Sequence, residues 1–390
     1  MTDEVGEKPV FLRLPEPIMV GKPNIAMNDS LMQQFEEVLK SKTLSNNGPK
    51  VRELEKKIAT YIGVEHCVLV NNATIGLEIL LDTLDISGEI LMPSYTFVAT
   101  AHAAYRTGLT PVFVDILSET HCMDIDKVKE AVNSNVSAIL AVNLWGIPCD
   151  ISALEQLAND LQIPLVFDSA HAFGASFGER MIGTFGTAEV FSFHATKFFN
   201  TFEGGVITTN DGVLAEKLRL YRGFGIASPD NVVQVGTNAK LSEFHAVMGL
   251  ANFEQLDTFV KINHDNYVSY RESFSNSGIG EILELDKFGI SNYQYVVLEL
   301  DDQFVIHRDE IIAHFESLNV YFRKYFWPSC HNMQPYSSNP SVHSRNSLSV
   351  TEKVADRVLI LPTGSSVSAD QCQEIAKELI RFCSAIIKGA

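Results

Sequence analysis

A doubly wound α/β layer with a mainly parallel seven-stranded sheet, followed by a smaller α+β part, is the fold class predicted by this 390-residue sequence. Three observations predict it. Between about residues 66 and 210, seven short apolar runs (67–70, 89–92, 111–115, 138–142, 165–168, 190–193 and 205–209) alternate with helix-length amphipathic stretches. Most runs are apolar at consecutive positions, as expected of strands covered on both faces. Beyond about residue 255 the alternation gives way to a mixture of strand-like and helical segments.

Each element has its own signal. The first twenty residues carry Pro9, Pro15 and Pro17 and read as an extended arm, assigned to 1–25. Within the large domain, 26–255, Leu77, Leu80, Leu81 and Leu84 fall at helical spacing after the first apolar run. After Asp150, residues Ile151, Leu154, Leu157, Ala158 and Leu161 line one helix face, and Pro164 stops the helix. Residues 241–275 read as one long helical stretch leading into the small domain, 256–390. That domain offers a strand over 293–300 and helices near 307–318 and 368–387.

Composition narrows the function. Hydrophobic residues make up 46%, enough for an extensive interior, and the net charge of −18 argues against a sequence-independent nucleic-acid binder, which needs a basic face. Six scattered cysteines form no C-x-x-C pair, so neither a disulfide framework nor a metal site is expected. The polar, acidic start (Met1-Thr2-Asp3-Glu4-Val5) is unlike a signal peptide, and no apolar run approaches the ~20 residues of a membrane span. A cytoplasmic enzyme without a membrane partner is the expectation.

The chemistry concentrates in two runs. The apolar segment Leu165-Val166-Phe167 ends in Asp168, and 29 residues later Lys197 follows another apolar run, Phe191-Ser192-Phe193. An acid at the end of a buried strand and a lysine just past another suit pyridoxal 5'-phosphate (PLP). The amine can form a Schiff base with the cofactor aldehyde, and the carboxylate can keep the pyridine nitrogen protonated. The commonest fate of a lysine is the surface, but Phe193, Ala195, Phe198 and Phe199 surround this one with apolar and small residues. Asp168-Ser169-Ala170-His171 adds an imidazole, alternatively a satisfied core histidine. Asn71-Asn72-Ala73-Thr74 precedes the Leu77 helix, where backbone amides can receive a phosphate or Asn72 or Thr74 can simply cap the helix. Phe97 in Pro93-Ser94-Tyr95-Thr96-Phe97 can stack on a flat ring or belong to the core. Ser192 can donate to phosphate, and His194 can face a substrate or pack against its strand.

With these residues in order, the chain resembles the DegT/DnrJ/EryC1/StrS family of sugar aminotransferases, enzymes of PLP fold type I. The resemblance is carried by Thr43-Leu44-Ser45-Asn46-Asn47-Gly48-Pro49, by 93–100, 111–115, 168–174, 192–197 and 203–211, and by Gly236-Thr237-Asn238-Ala239-Lys240. It thins over the last hundred residues to 323–328 and Leu361-Pro362. It implies that Lys197 holds the cofactor covalently, Asp168 pairs with the pyridine nitrogen and His171 neighbours the phenolic oxygen. It also implies that Ala73, Thr74 and Ser192 hold the phosphate. Asn238 would reach the phosphate of a partner subunit, giving a homodimer with shared active sites. Four positions depart from the family pattern: Ala73 for a usual Gly, Asn143 for a frequent His, His102 for a frequent Asn and Lys240 for a frequent Arg. Lys240 keeps the charge of a substrate contact but not the bidentate fork.

The resemblance further implies a transaminase in deoxyamino-sugar synthesis for polysaccharide or O-antigen. Ser192-Phe193-His194 before the lysine accompanies amination at sugar C4, and Ser-Phe-Tyr accompanies C3. The expected substrates are L-glutamate and a nucleotide-linked 4-keto-6-deoxyhexose, with dTDP as carrier and pyridoxamine 5'-phosphate as the form that stores the nitrogen. The competing readings are a C3 aminotransferase, a PLP-dependent sugar dehydratase or lyase, and a catalytically silent scaffold of the same fold.

Overall fold

The computed structural model describes residues 13–389; the start of the expected arm, residues 1–12, lies outside the described residues. All seven expected strands form. They are β1 (His66–Val70), β2 (Glu89–Pro93), β3 (Thr110–Val114), β4 (Val136–Val142), β5 (Leu165–Asp168), β6 (Ala188–Ser192) and β7 (Gly205–Thr209). Apart from a partly covered residue at some strand ends and at Ser137, they are buried. Burial on both faces is why their sequences lack alternation.

The sheet differs from expectation in having an eighth strand. A C-terminal segment, β10 (His343–Ser344), pairs in parallel with β3, giving the order β10-β3-β2-β4-β5-β6-β7-β1. Two exposed residues carry no hydrophobic pattern, so nothing in the sequence announced them. The segment is fixed by the next residue, Arg345, which donates to the Ala131 carbonyl and the Glu89 carboxylate. Strand β7 alone runs against its neighbours, antiparallel to both β6 and β1, so β1 and β6 end on the same side as β2, β4 and β5.

The far edge, β1, is closed by charge. Leu69 N–H donates to Glu55 Oε1 at 2.9 Å, Leu69 O accepts from Arg222 Nη1 at 2.6 Å, and Arg222 bonds Glu55 at 2.7 Å. Glu55 stands on helix α1 (Pro49–Ile62). Helix α2 (Ala73–Thr83) follows β1 and buries Leu77, Leu80 and Leu81, and α3 (Val98–Arg106) follows β2.

The smaller part is built on a three-stranded antiparallel sheet, β8 (Gly280–Ile282), β9 (Val296–Leu300) and β11 (Val358–Leu361). Ile18–Met19 pairs in parallel with Val320–Tyr321, tying the described part of the arm to this half. The expected single helix over 241–275 is two, Glu243–Phe253 and Leu256–Phe274. The ladder breaks because Asn252 O takes the amides of Glu254 and Gln255 in tight turns. The Asn252 side chain meanwhile bonds Ala26 N and Asn200 O. The six cysteines are buried and free. Among the described residues no helix is long and apolar enough to cross a membrane.

Candidate active site

The carboxyl ends of β1, β2, β4, β5 and β6 gather the candidate residues on one side of the sheet. Asp168 is the last residue of β5 and is 6% exposed. Its Oδ2 accepts from Thr100 Oγ1 at 2.8 Å and its Oδ1 from Ala170 N at 3.1 Å. Burial pushes its carboxyl pKa up, against the pull of these two bonds and of Lys197. A buried carboxylate bonded only by neutral donors is an incomplete arrangement, and a cation in reach would complete it.

Lys197 lies beyond β6 in an irregular turn closed by its own N–H on His194 O, 2.9 Å. Its Nζ donates to Tyr295 Oη at 3.2 Å and sits 5.6 Å from the centre of that ring. Desolvation lowers the amine pKa to about 8, although Asp168 pulls the other way. The neutral form that a nucleophilic amine requires is therefore far more populated near neutral pH than it would be in an exposed lysine.

His171 is 7% exposed and lies 4.6 Å, centroid to centroid, from Tyr295. Burial first, and the charge of Lys197 second, depress its pKa well below the usual histidine range, so the ring is neutral. Trp145 and Phe326 stack with it at 5.7 and 6.0 Å.

The register places Ser192 opposite Gly205, and Gly205 opposite Val70, immediately before the Asn71–Thr74 turn. A Cβ on Gly205 would stand 2.7 Å from Ala73 N, so only glycine lets β7 approach the start of α2 this closely. Asn72 caps the helix by accepting from Ile75 N at 2.9 Å. No acceptor among the described residues takes the Ala73 or Thr74 amides, which open the helix at its positive end. Asn71 Oδ1 is buried without a partner. Phe97 precedes α3 and is 56% exposed, with its ring centre 6.0 Å from that of Phe326.

The remaining candidates lie at the edge of this group. Asn71 N–H donates to Ala239 O at 2.9 Å, which holds the Asn238–Lys240 segment beside the turn; Asn238 itself is exposed. Lys240 Nζ sits 4.3 Å over the Phe224 ring, its pKa lowered by burial and Arg222. His194 is half-exposed. It takes the Thr196 amide on Nδ1 at 3.2 Å and places Nε2 3.4 Å from Glu203 Oε1. Of the departures, His102 bonds the Tyr336 hydroxyl and Asn143 bonds Ser169 Oγ at 2.9 Å.

The residues present fit PLP. An amine able to lose its proton, a buried carboxylate lacking a cation, a neutral imidazole, free helix amides and an exposed aromatic face are together on one side of the sheet. Three participants were given no role by the sequence reading. Thr100 and Phe326 lie within the noted 93–100 and 323–328 stretches, but nothing local pointed to their contacts with Asp168 and His171. Tyr295, about a hundred residues after Lys197, had no local pattern to link it.

Comparison with known proteins follows this geometry. Residues 26–380 match the model of the DegT/DnrJ/EryC1/StrS aminotransferase family. The dTDP-4-amino-4,6-dideoxy-D-glucose transaminase of Shigella dysenteriae is 33% identical over 367 residues, 94% of this chain and 99% of that protein. The GDP-perosamine synthase of Escherichia coli O157:H7 is 28% identical over 379 residues, 96% of this chain and 99% of its own length. Among solved structures, DesI in the presence of its TDP-sugar product superposes with a TM-score of 0.90 at 40% identity, covering 95% of this chain and 94% of DesI.

Proposed function

We propose, because this chain belongs to the DegT/DnrJ/EryC1/StrS family of PLP-dependent sugar aminotransferases, that it moves the amino group of L-glutamate to C4 of a dTDP-linked 4-keto-6-deoxyhexose. One observation carries the reading: Lys197, with its amine pKa lowered to about 8, lies within electrostatic reach of a buried Asp168 that lacks a bonded cation. The relative named for a dTDP-linked 4-amino sugar and the His194 signature support the carrier and the position.

PLP, when bound, supplies an aldehyde that accepts the amino group and a ring that spreads the electrons left as a C–H proton departs. Asp168 would hold a proton on the ring nitrogen. The Ala73 and Thr74 amides with Ser192 would hold the phosphate, Phe97 would cover one face, and Asn238 of a second copy would complete the phosphate site. Lys197 would take the proton from the donor carbon and return it at the acceptor carbon. His194 and Lys240 would meet the sugar nucleotide.

Incubation with L-glutamate and a panel of dTDP-, UDP- and GDP-linked 4-keto and 3-keto sugars tests the reading. The expected product is the dTDP-linked 4-amino sugar, identified by mass and NMR, formed only with glutamate. Deoxygenation or cleavage of the sugar without glutamate would mark a dehydratase or lyase instead.

A further inference from the structure

Behind His171 runs a bonded chain that crosses from the small sheet to the site. Glu299, on β9, has Oε1 2.9 Å from His121 Nε2. The indole N–H of Trp145 donates to His121 Nδ1 at 3.0 Å. The backbone N–H of the same Trp145 points to His171 Nδ1 at 3.3 Å. Trp145 and His121 are fully buried, and both stand in the left-handed region, with φ of 61° and 59°. That conformation is rare for bulky residues and persists only where the surroundings hold it.

The donors in this chain leave no freedom. An indole N–H and a backbone N–H only donate, so each nitrogen they meet must be an unprotonated acceptor. A neutral imidazole with an occupied Nδ1 acceptor carries its proton on Nε2. For His121 that proton goes to Glu299. For His171 no acceptor among the described residues takes it. Its ring lies against Tyr295, which itself receives the Lys197 amine.

We propose that Trp145 is a positioning residue whose left-handed amide locks His171 in the Nε2–H tautomer, so that its free N–H meets an acceptor oxygen of the bound ligand, while Glu299 and His121 brace Trp145 from the small domain. The facing of His171 toward PLP rests on the reading proposed above; the tautomer does not. His171 is neutral through burial, which keeps Nδ1 available as an acceptor. One tryptophan thereby sets the proton position on two histidines, one structural and one in the site.

The test is ¹⁵N NMR of the full-length protein labelled at histidine, with the two rings identified by the signals lost in His171→Gln and His121→Gln. Both rings should show protonated Nε2 and unprotonated Nδ1, and addition of PLP should shift the His171 Nε2 signal and not that of His121. Trp145→Phe keeps the amide and removes the indole donor, so it should move the His121 Nδ1 signal while His171 keeps its tautomer. His171→Gln, which can still accept from the amide and donate to a ligand, should recover turnover lost in His171→Phe, a loss on the order of 10²–10³-fold. A proton on Nδ1 of either ring, a charged His171 at neutral pH, or a His171 signal that PLP leaves unmoved would overturn the proposal. The wild-type spectrum decides the tautomers even if Trp145→Phe does not fold, and it requires no turnover. An enzyme of different chemistry would therefore fail the amination assay without changing this result.

Discussion

The Nζ of Lys197 donates to the hydroxyl of Tyr295 at 3.2 Å. The two residues come from different layers, the lysine from the turn after β6 and the tyrosine from the approach to β9. The approach to the small sheet therefore places an acceptor directly on the amine that the large sheet presents, in surroundings whose desolvation disfavours the ammonium form.

That environment is why Lys197 is proposed as the reactive lysine. Borohydride reduction of the PLP-loaded protein, followed by peptide mapping, should find the pyridoxyl group on Lys197. The rate of PLP capture should climb as pH rises through about 8, where this amine loses its proton, rather than near 10.5. An adduct on another lysine, or a rise confined to pH above 10, would contradict the assignment.

Asp168→Asn preserves shape but removes the charge that would keep a ring nitrogen protonated. PLP should still bind, while the glutamate half-reaction should slow on the order of 10²-fold or more. Thr100→Val, which removes the 2.8 Å donor to the carboxylate, should have a smaller effect in the same direction, because it raises the carboxyl pKa further. Wild-type turnover in Asp168→Asn would reduce the residue to a turn-former for Ala170.

Glu189 gives a pH-dependent stability signature. It is fully buried on β6, receives Ser169 Oγ at 2.6 Å and the Gly183 and Phe185 amides at 2.6 and 3.0 Å, and burial lifts its pKa to about 7. Because the folded form holds its proton above the ordinary carboxyl pKa of 4.5, folding binds protons between about 4.5 and 7. Stability therefore falls as pH rises through that window. Glu189→Gln should lose less stability than wild type between pH 5 and pH 8, by a difference of order 1–3 kcal/mol. Urea melts at the two pH values would show it, and an equal loss in both proteins would refute it.

Asn238 is exposed beside the Asn71 turn and is proposed to act on a second copy. Mixing Lys197→Ala with Asn238→Ala should partly restore activity, since one site in each mixed dimer then holds both native residues. Heterodimers that form and stay inactive would argue against a shared site.

His194 should favour C4 over C3. Its Nε2 lies 3.4 Å from the Glu203 carboxylate, which orients the ring at the edge of the site. The 4-keto sugar should be aminated at least tenfold faster than its 3-keto isomer, a preference of about 1.4 kcal/mol. His194→Ala should slow the sugar half-reaction more than the glutamate half-reaction. Equal rates with the two isomers would reject the regiochemistry and leave the aminotransferase chemistry standing.

What the sequence disclosed depended on the range of the interaction. The seven main strands were legible because each is a continuous apolar run, and Lys197 and Asp168 were legible because both sit at the ends of such runs. Tyr295 was not, because its approach to Lys197 and His171 is set by how two sheets pack rather than by any local pattern, and Phe326, though within the noted 323–328 segment, meets His171 only through the same long-range packing. The two-residue β10 was invisible for a simpler reason: its anchor is the Arg345 guanidinium, and its own residues are exposed. The break between residues 253 and 256 was hidden because the apolar spacing runs straight through it.

The two borders of the large sheet show how this chain is able to associate. On one side the Glu55–Arg222 pair occupies the outward N–H and C=O of Leu69; on the other, a short return of the chain occupies β3. An incoming strand would have to displace these contacts to pair with Leu69, or with the Val112 and Phe113 that His343 and Ser344 cover. Each border is thus guarded locally, which disfavours sheet extension as a mode of self-assembly at these positions.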